Sequence, residues 1–463
     1  MRGELPNRLS SMVFAFALVF SGISASAQES TRRVPDGFTF AATGDLISPK
    51  PIHLDTNANM ARLAELFRHS DLGYANQEGA IFDVAEFHGS HAAENGGGTP
   101  VSPVQLARDL KAMGITIVSK ANNHATDWGA EGLIATLASL DSAGLVQAGS
   151  GKSIVEARAP GYVETRHGMA ALVSVASTFP PMSVAGPAVQ NSGVALGSRP
   201  GISALHVRLI HRVSAEDLAS LRRVVGNAAY PVIGRDDEVR VGDILFERSQ
   251  TPGLTWEMQQ EDETAILASV REARAKAGFV LFAIHAHQTA GDKDDGPAPY
   301  QPDVLHFANE AAAPADPRPA DFEPALFHAV IDAGADAVVR TGPHQLSGIE
   351  IYKGKPIFYC LGSLFFPFGQ RPTFTTAAGE TLSFTDDNFE TVIPVTTYKG
   401  GRASEIRLYP VEIDRSAGQT GGSPLPASPE RARRILERLR DLSIPFGTDL
   451  RIEDGIGVIR PPA

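Results

Sequence analysis

The sequence has a single cysteine, Cys360, in 463 residues. One thiol cannot form a disulfide within the chain, and it cannot supply the several thiolates of a structural zinc cluster. Beyond the N-terminus, no apolar run approaches the roughly 18 residues that suggest a membrane-spanning helix. Basic residues are fewer than acidic ones, 41 against 53, so the formal net charge is -12. These shortages exclude a disulfide scaffold and a multi-span membrane protein, and they argue against a broad nucleic-acid-binding surface.

The rest of the composition is typical of a folded protein. Hydrophobic residues make up 43% of the chain and charged residues 20%. A disordered chain would have fewer apolar residues and a higher charge density. The length leaves room for more than one domain.

Residues 1–27 have the pattern of a secretory signal peptide. Arg2 and Arg8 give a positive start, the apolar run MVFAFALVF follows, and the ASA at 25–27 matches an A-x-A cleavage site. The apolar run is too short to span a membrane easily, which favours cleavage over a membrane anchor. We therefore expect a protein secreted across the inner membrane, periplasmic or extracellular. A chain without disulfides fits a bacterial periplasm.

Short apolar runs alternate with segments of helical spacing through most of the chain. Phe38–Thr43 and Phe279–Ile284 predict buried strands. Ala130–Ala143 predicts a helix with Gly144 as its C-cap, and Ser214–Val225 and Glu257–Ala277 predict long helices. This alternation predicts a layered α/β fold, and hairpin-like strand pairs near the end predict that part of the sheet is antiparallel.

Candidate functional residues are spread from position 45 to position 344, which favours one large domain at residues 37–413. A Ser/Gly/Pro-rich linker is predicted at 414–429, and a C-terminal helix and tail at 430–463. The helix is basic and amphipathic, and we favour a role in capping the main domain over one in binding a partner. Glu86–Pro103 has no periodicity and predicts a long loop of the kind that is often functional.

Polar side chains directly follow five of the predicted strands. In chain order they are Asp45, Asn76, Glu78, Asn122, Asn123, His124, Asp127, His285, His287 and His344. Ligands of open α/β sheets gather beyond the carboxyl ends of the strands, so one shared site is expected. Imidazole and carboxylate ligands fit Zn, Mn or Fe, whereas carboxylate with amide oxygen fits Mg, Mn or Ca. The pattern predicts a divalent metal ion, of unresolved identity, that activates water and stabilises charge on a phosphoryl or acyl group.

Five of these positions also have a second interpretation. These interpretations are a turn at Gly44-Asp45, Asx turns at Asn122-Asn123, a helix N-cap at Asp127, a residue orienting His285 or contacting substrate at His287, and a turn histidine at His344.

The ordered set of motifs resembles the bacterial capsule-synthesis CapA family, named for poly-γ-glutamate capsule systems. The matching segments are FAATGDLIS, DLGYANQEGAI, VSKANNHATDWGAEGL, AGSGKSIVEARAP, RPGISAL, FVLFAIHAH and GPHQLSGIEIYKGKPIFYCLGSLFF. They cover nearly all of the chain after the signal peptide. The resemblance implies a fold similar to the calcineurin-like metallophosphatases, a layered sandwich of mixed sheets flanked by helices.

The resemblance also implies residue roles. Asp45 corresponds to the first metal-binding aspartate, and Glu78 falls where the metallophosphatases have a bridging carboxylate. Asn123-His124 resembles an asparagine-histidine pair in which the asparagine binds metal and the histidine contacts the leaving group or substrate. His285 and His344 resemble the later histidine ligands of the family. The expected metal ligands are therefore Asp45, Glu78, Asn123, His285 and His344.

Other assignments complete the predicted site. His124, Asp127 and Arg340 are the catalytic candidates, and Asn76, Asn122 and His287 are expected to contact substrate or to orient the ligands. Arg340 has two equally weighted roles, namely a cation that holds a phosphate or carboxylate, and one partner of a structural salt bridge.

Two positions depart from the family pattern. Residue 47 is Ile47 where a metallophosphatase has the histidine of its D-x-H motif, and Thr341 stands where the family often has histidine before its last Gly-Pro-His. Both changes remove a candidate ligand, so one metal ion is expected rather than two.

Three functions follow as alternatives. The first is a metal-dependent hydrolase that acts on a phosphoester or an amide in an anionic polymer or peptide. The second is a non-catalytic accessory protein for polymer export or assembly, with membrane polymer synthases as partners. The third is a metal-assisted peptide epimerase on the same scaffold. No nucleic acid is expected as a partner, and the fold alone does not fix the substrate.

Overall fold

The computed structural model describes residues 33–52, 58–92, 99–226, 236–241, 244–290, 318–370, 373–375, 381–418 and 420–462. These residues belong to one compact unit. The expected signal peptide at 1–27 lies outside the described residues, as does part of the expected loop, 93–98.

The larger of two main sheets has ten strands and is mixed. Its strands, in spatial order, are Leu450–Glu453, Ile456–Ile459, Arg402–Ile413, Glu390–Lys399, Thr39–Leu46, Leu72–Gln77, Ile117–Ser119 and Val146–Ala148, with Ser363–Phe365 paired to Thr39–Leu46 and Pro424–Pro426 paired to Arg402–Ile413. The four strands from Thr39–Leu46 to Val146–Ala148 run parallel. Their carboxyl ends therefore meet at one edge, as expected from the sequence.

The smaller main sheet has six strands. In spatial order they are Ile349–Tyr352, Lys355–Phe358, Ala337–Thr341, Phe279–His285, Gly168–Ala176 and Gly161–Thr165. The central strands Gly168–Ala176, Phe279–His285 and Ala337–Thr341 are parallel. This parallel arrangement brings His285 and Thr341 side by side in the register.

A shared hydrophobic core lies between the two main sheets. Phe40 of the larger sheet and Leu281 of the smaller sheet belong to the same buried cluster. A second buried cluster joins the smaller sheet to helices Gln260–Lys276 and Phe322–Ala333, and a third joins the larger sheet to other helices. The protein is therefore a mixed α/β protein with helices packed on its sheets, which confirms the predicted fold class at this level.

The described α-helices are Ala58–Arg68, Gln105–Met113, Gly129–Ser142, Ile154–Arg158, Ala215–Gly226, Gln260–Lys276, Phe322–Ala333 and Pro429–Ser443. The helices predicted at Ala130–Ala143 and Ser214–Val225 lie within one residue of two of them. Gly144 follows the helix Gly129–Ser142 with a left-handed φ of 70° and donates to the carbonyl of Asp141, as expected for a glycine after a helix. None of the helices in the described ranges is long and apolar enough to cross a membrane.

One sheet was not predicted from the sequence. Its four strands are Glu238–Val241, Ile244–Arg248, Val207–Val213 and Gly253–Met258, in that spatial order. The prediction of a helix from Glu257 is wrong at its start, because Glu257 pairs with Arg208 inside the sheet and the helix begins at Gln260. Pairing with a distant strand overrides the local helical pattern there.

The C-terminal segment is built into the larger sheet. Pro424–Pro426, inside the expected linker, forms an edge strand on Arg402–Ile413. Proline lacks an N–H, so an edge position suits it and a Pro-rich pattern does not exclude a strand. The helix Pro429–Ser443 starts after the N-cap Ser428 and buries Ile435 and Leu436 in the core between the sheets.

Candidate functional site

Asp45 lies in the middle of the candidate site, inside the strand Thr39–Leu46. The strand register shifts just before it, and its backbone N–H donates to the carbonyl of Gly362 at 3.0 Å. Gly44 permits this close approach, because a Cβ there would lie 1.8 Å from the oxygen of Gly362. The side chain is fully buried and accepts hydrogen bonds from Asn76 Nδ2 at 2.7 Å and from the Gly342 backbone at 3.2 Å.

The pKa of the Asp45 carboxyl lies below its usual range. Burial alone would raise it, but hydrogen bonds and charge interactions with His285 and His344 outweigh the burial. His344 Nδ1 is 3.1 Å from Asp45 Oδ2, and His285 Nδ1 is 3.7 Å from Oδ1. A carboxylate that stays ionised in the interior is suited to holding a cation.

Glu78 follows the adjacent strand Leu72–Gln77 and is also fully buried. Neither carboxylate oxygen of Glu78 accepts a hydrogen bond from the described residues. Burial and the charge of Asp45 raise its pKa well above the usual range. An unpaired buried carboxylate is costly, so this side chain is arranged for a partner that the protein atoms do not provide.

Lys120 holds the turn that carries Glu78, and sequence reasoning missed it. Its Nζ donates to the carbonyls of Gln77 at 3.2 Å and of Gly79 at 2.5 Å, the residues on either side of Glu78. The side chain is fully buried. Burial lowers the pKa of Lys120 to about 8, against the opposing charges of Asp127 and Glu78. A lysine after a predicted strand has no distinctive sequence signal, because most lysines there are exposed.

The NNHATD segment, residues 122–127, follows the strand Ile117–Ser119. Asn122 Nδ2 donates to the carbonyl of Gln77 at 2.9 Å, while both polar side-chain atoms of the buried Asn123 lack partners among the described residues. His124 Nδ1 lies 2.6 Å from Asp127 Oδ2, and its Nε2 lies 3.7 Å from Glu78 Oε1. The N-cap of the helix Gly129–Ser142 is Trp128, whose side chain makes no capping hydrogen bond, and Asp127 lies one residue before it.

His285 and His287 enter from the smaller sheet. His285 Nδ1 is 2.9 Å from Thr341 Oγ1 and 3.2 Å from Asn76 Nδ2, and its Nε2 is 4.0 Å from Glu78 Oε1. The Nε2 atoms of His285 and His287 are 3.1 Å apart. Burial lowers the pKa of His285 to about 4 and places that of His287 well below its usual range.

His344 has a left-handed φ of 55°, which is uncommon for a residue with a side chain and often marks a functional position. Its Nδ1 lies 3.0 Å from Ser363 Oγ and 3.1 Å from Asp45 Oδ2. Gly342, two residues earlier, has a φ of 129° and sits so close to Ala286 that a Cβ would lie 2.5 Å from its carbonyl oxygen. This backbone path places His344 over Asp45.

Arg340 does not reach this cluster. Its guanidinium is buried, with Nε 2.6 Å from Glu323 Oε1 and further bonds to the carbonyls of Tyr359 and Gln288. Of the two roles expected from the sequence, the geometry matches the structural salt bridge. The physical reason is that all three guanidinium nitrogens already contact protein oxygens, those of Glu323, Tyr359 and Gln288.

The two departures from the family pattern have structural counterparts. Ile47 is buried in an apolar cluster with Phe366, so position 47 supplies no ligand. Thr341 supplies a hydroxyl to His285 instead of a ring nitrogen.

The donors fit a metal ion. One ligand atom each from Asp45, Glu78 and His344 lies within 4.8 Å of the others, and all three residues are buried. The unpartnered oxygens of Glu78 and the unpartnered amide of Asn123 add buried donors. Carboxylate and imidazole together suit a divalent cation.

The protein is thus a mixed α/β protein with a candidate metal site. Buried carboxylates and imidazoles at the strand ends form this site. Residues 24–316 and 313–367 match the family described as bacterial capsule synthesis protein PGA_cap. The chain belongs to this family, which confirms the resemblance to CapA proteins.

Two relatives from Sinorhizobium fredii (strain NBRC 101917 / NGR234) extend the similarity. The uncharacterized proteins y4sH and y4uA are each 35% identical to this chain over 459 residues, covering 92% of this chain and 94% of each relative. The similarity thus spans nearly the full length of these proteins.

Proposed function

We propose that this protein is an exported, metal-dependent hydrolase that acts on a phosphoester or amide bond in the synthesis of an anionic capsule-type polymer. The observation that carries the proposal is the buried group Asp45, Glu78 and His344, with both Glu78 oxygens unpartnered among the described residues. Two buried carboxylates so close together repel each other when ionised, and a bound cation would offset this repulsion. Family membership supports the connection with capsule synthesis.

In this proposal Asp45, Glu78, Asn123, His285 and His344 hold one divalent ion. When bound, the ion would act as a Lewis acid and lower the pKa of a water molecule. The protein's own contribution is orientation. Asn76 donates to Asp45 and accepts from Ser119 Oγ at 2.8 Å, so its amide is fixed and keeps the Asp45 carboxylate in place.

His124 is the proton-transfer residue in this proposal, and Asp127 is its positioning partner. The 2.6 Å contact favours a proton on Nδ1, directed to Asp127, which leaves Nε2 on the side of Glu78. A protonated Nε2 can donate to a leaving-group oxygen or nitrogen, and a neutral Nε2 can accept a proton from water. Both residues are buried, so bulk water competes little for these protons.

The layered arrangement supports a calcineurin-like metallophosphatase fold as part of the proposal. Two sheets share one core, helices pack on the sheets, and the candidate ligands come from strand ends of both sheets. The formal charge of -12 would repel a polyanionic substrate, so binding of such a substrate requires local positive charge in the site. Substrate binding is therefore expected to require the metal ion.

The test combines elemental analysis of the purified full-length protein with a screen of phosphoesters and γ-glutamyl peptides. We expect about one divalent ion per chain, its loss in Asp45→Asn, and hydrolysis of one substrate class. His124→Asn should keep the metal and lose activity. His69→Asn is the matched control, because His69 is an exposed histidine in the turn after the helix Ala58–Arg68 and contacts Glu65, which is not a site residue.

Other outcomes separate the alternatives. A metal-free wild-type protein under all loading conditions would contradict the proposal. A protein that binds metal, cleaves nothing and still supports polymer formation with His124→Asn would be an accessory protein. Solvent isotope incorporation into a peptide α-carbon without cleavage would identify an epimerase.

A further inference from the structure

The contact between His285 and His287 is not explained by the ligand set taken over from the family. The two residues are separated by Ala286, so in an extended chain their side chains project to the same side. Both are about 1% exposed, and their Nε2 atoms are 3.1 Å apart. Without a metal ion, one of these nitrogens donates an N–H···N hydrogen bond to the other; with both rings deprotonated at Nε2, the same two atoms can bind one cation.

Hydrogen bonds from neighbouring segments fix the backbone of His287 and the next residue, Gln288. The His287 backbone N–H donates to Thr178 Oγ1 at 2.9 Å, and Gln288 accepts from Ser177 Oγ at 2.7 Å. Arg340 also donates to the carbonyl of Gln288. The segment that carries His287 is thus fixed by two separate parts of the chain, the loop at Ser177-Thr178 and the strand that carries Arg340, which is the support that a metal ligand needs.

The spacing of the two nitrogens matches that of ligands on one ion. Two imidazole nitrogens about 2.1 Å from a metal, at angles of roughly 90–110°, are about 3.0–3.4 Å apart. The other members of the cluster lie nearby. His285 Nε2 is 4.0 Å from Glu78 Oε1, and the ring centroids of His287 and His344 are 5.9 Å apart.

We propose that His287 is itself a metal ligand, so that three imidazoles (His285, His287 and His344) join the carboxylates and the site selects Zn²⁺, Co²⁺ or Fe²⁺ over Mg²⁺ and Ca²⁺. This inference rests on the proposed function, since it concerns the same ion. Imidazole suits the later transition metals, whereas Mg²⁺ and Ca²⁺ take oxygen ligands. His287 thereby supplies a nitrogen that compensates for the ligands missing at Ile47 and Thr341.

The first experiment counts ligands on the loaded full-length protein. X-ray absorption spectra of the Zn²⁺-loaded wild type and of His287→Gln are compared, with His69→Gln as the control. We expect one fewer coordinated imidazole in His287→Gln only. Competition titrations should show Zn²⁺ affinity reduced at least about tenfold, with Mg²⁺ affinity changed far less. Equal imidazole numbers in wild type and His287→Gln would overturn the inference.

The second experiment measures a new spectroscopic signal rather than the loss of a ligand. In His287→Cys, a thiolate at a ligand position would give a sulfur-to-metal charge-transfer band with Co²⁺ in the near ultraviolet. The wild type, whose only cysteine is the buried Cys360, provides the baseline. Co²⁺ binding without this band means that position 287 lies outside the coordination sphere and contradicts the inference. Failure of the wild type to bind any metal contradicts the proposed function instead.

Discussion

The Nδ1 atom of His124 lies 2.6 Å from Oδ2 of Asp127, three residues further along a buried turn. The backbone of Asp127 is fixed in turn, because its carbonyl accepts from Ala92 N–H at 2.6 Å. The imidazole is therefore oriented by a carboxylate on one side while its other nitrogen lies 3.7 Å from Glu78. In the proposed mechanism, this geometry lets Asp127 act on proton transfer through His124 rather than by contact with the substrate.

Asp127→Asn is the substitution that tests this relationship. An amide in place of the carboxylate can donate to Nδ1, which would place the proton on Nε2 and remove its ability to accept one. We expect kcat to fall about 10²-fold to 10⁴-fold, the range for loss of an acid–base group. Metal content should stay unchanged.

The measurement is steady-state kinetics on the substrate found in the screen, with metal analysis on the same samples. Asp83→Asn is the control, because Asp83 is an exposed acidic residue in a turn. Wild-type kcat in Asp127→Asn would show that the pair has no role in proton transfer.

The candidate site was predictable because it follows from strand order. Asp45 and His344 are 299 residues apart in the chain, and their side chains meet at 3.1 Å. The sequence indicated this meeting because each residue follows a buried apolar run, and parallel strands bring their carboxyl ends to the same edge. The types of side chain then indicated a metal site.

The residues that support the site were not predictable in this way. Lys120 acts on two backbone carbonyls, and Ser363 on a ring nitrogen, through contacts that exist only after the strands have paired. The role of Arg340 also depended on a partner, Glu323, that comes from a helix with no motif. Sequence patterns describe which side chains are buried, whereas these roles depend on which distant groups they meet.

The strands at the C-terminus were missed for a related reason. Leu450–Glu453 and Ile456–Ile459 are short, and their pairing with each other and with Arg402–Ile413 defines them as strands. Short strands have weak periodicity, so their identity depends on a partner elsewhere in the chain.

A second prediction concerns Lys120, which binds the carbonyls on either side of Glu78. In Lys120→Met the side chain keeps its unbranched shape and most of its length but loses the three donors. We expect the Glu78 turn to loosen and metal affinity to fall about tenfold to 100-fold, as for other groups that orient a ligand. Isothermal titration with Zn²⁺ and Mn²⁺ measures this change.

Thermal denaturation of the same variant in the absence of metal separates positioning from general damage. The Gln77 carbonyl keeps the donor from Asn122, whereas the Gly79 carbonyl loses that of Lys120, so a loss of about 1–3 kcal/mol in stability is expected. Lys152→Met, at an exposed lysine, provides the baseline. A variant with wild-type metal affinity would mean that Glu78 is positioned without Lys120.

A third prediction concerns the buried ion pair of Arg340 and Glu323. Glu323→Gln leaves the guanidinium without its counter-charge in a fully buried position, which costs about 3–5 kcal/mol. Arg340→Met also removes the donors to Tyr359 and Gln288, so it should be at least as destabilising. The double variant Glu323→Leu/Arg340→Met should recover part of the loss.

Urea denaturation of the three variants forms a double-mutant cycle for this pair. A positive coupling free energy of at least about 1 kcal/mol is expected for residues in direct contact. Strictly additive losses would mean that the two side chains act independently.

The last prediction concerns acid stability and Asp71, which joins the starts of two adjacent strands of the larger sheet. Asp71 accepts from the backbone and hydroxyl of Thr39, each at 2.8 Å, and from Arg166 Nε at 2.9 Å. Burial would raise its pKa, but these hydrogen bonds and that of His167 hold it below the usual value. A carboxylate with a lowered pKa stabilises the fold above its unfolded-state pKa, and this contribution is lost as the pH falls through the folded-state pKa.

Asp71→Asn should therefore lower the free energy of unfolding at pH 7 by about 1–3 kcal/mol. The difference from wild type should shrink below about pH 4, where the carboxylate of the unfolded chain becomes protonated. Urea denaturation between pH 3 and pH 7 measures both effects, with the exposed Asp141→Asn as control. A difference that stays constant down to pH 3 would show that the charge of Asp71 does not contribute.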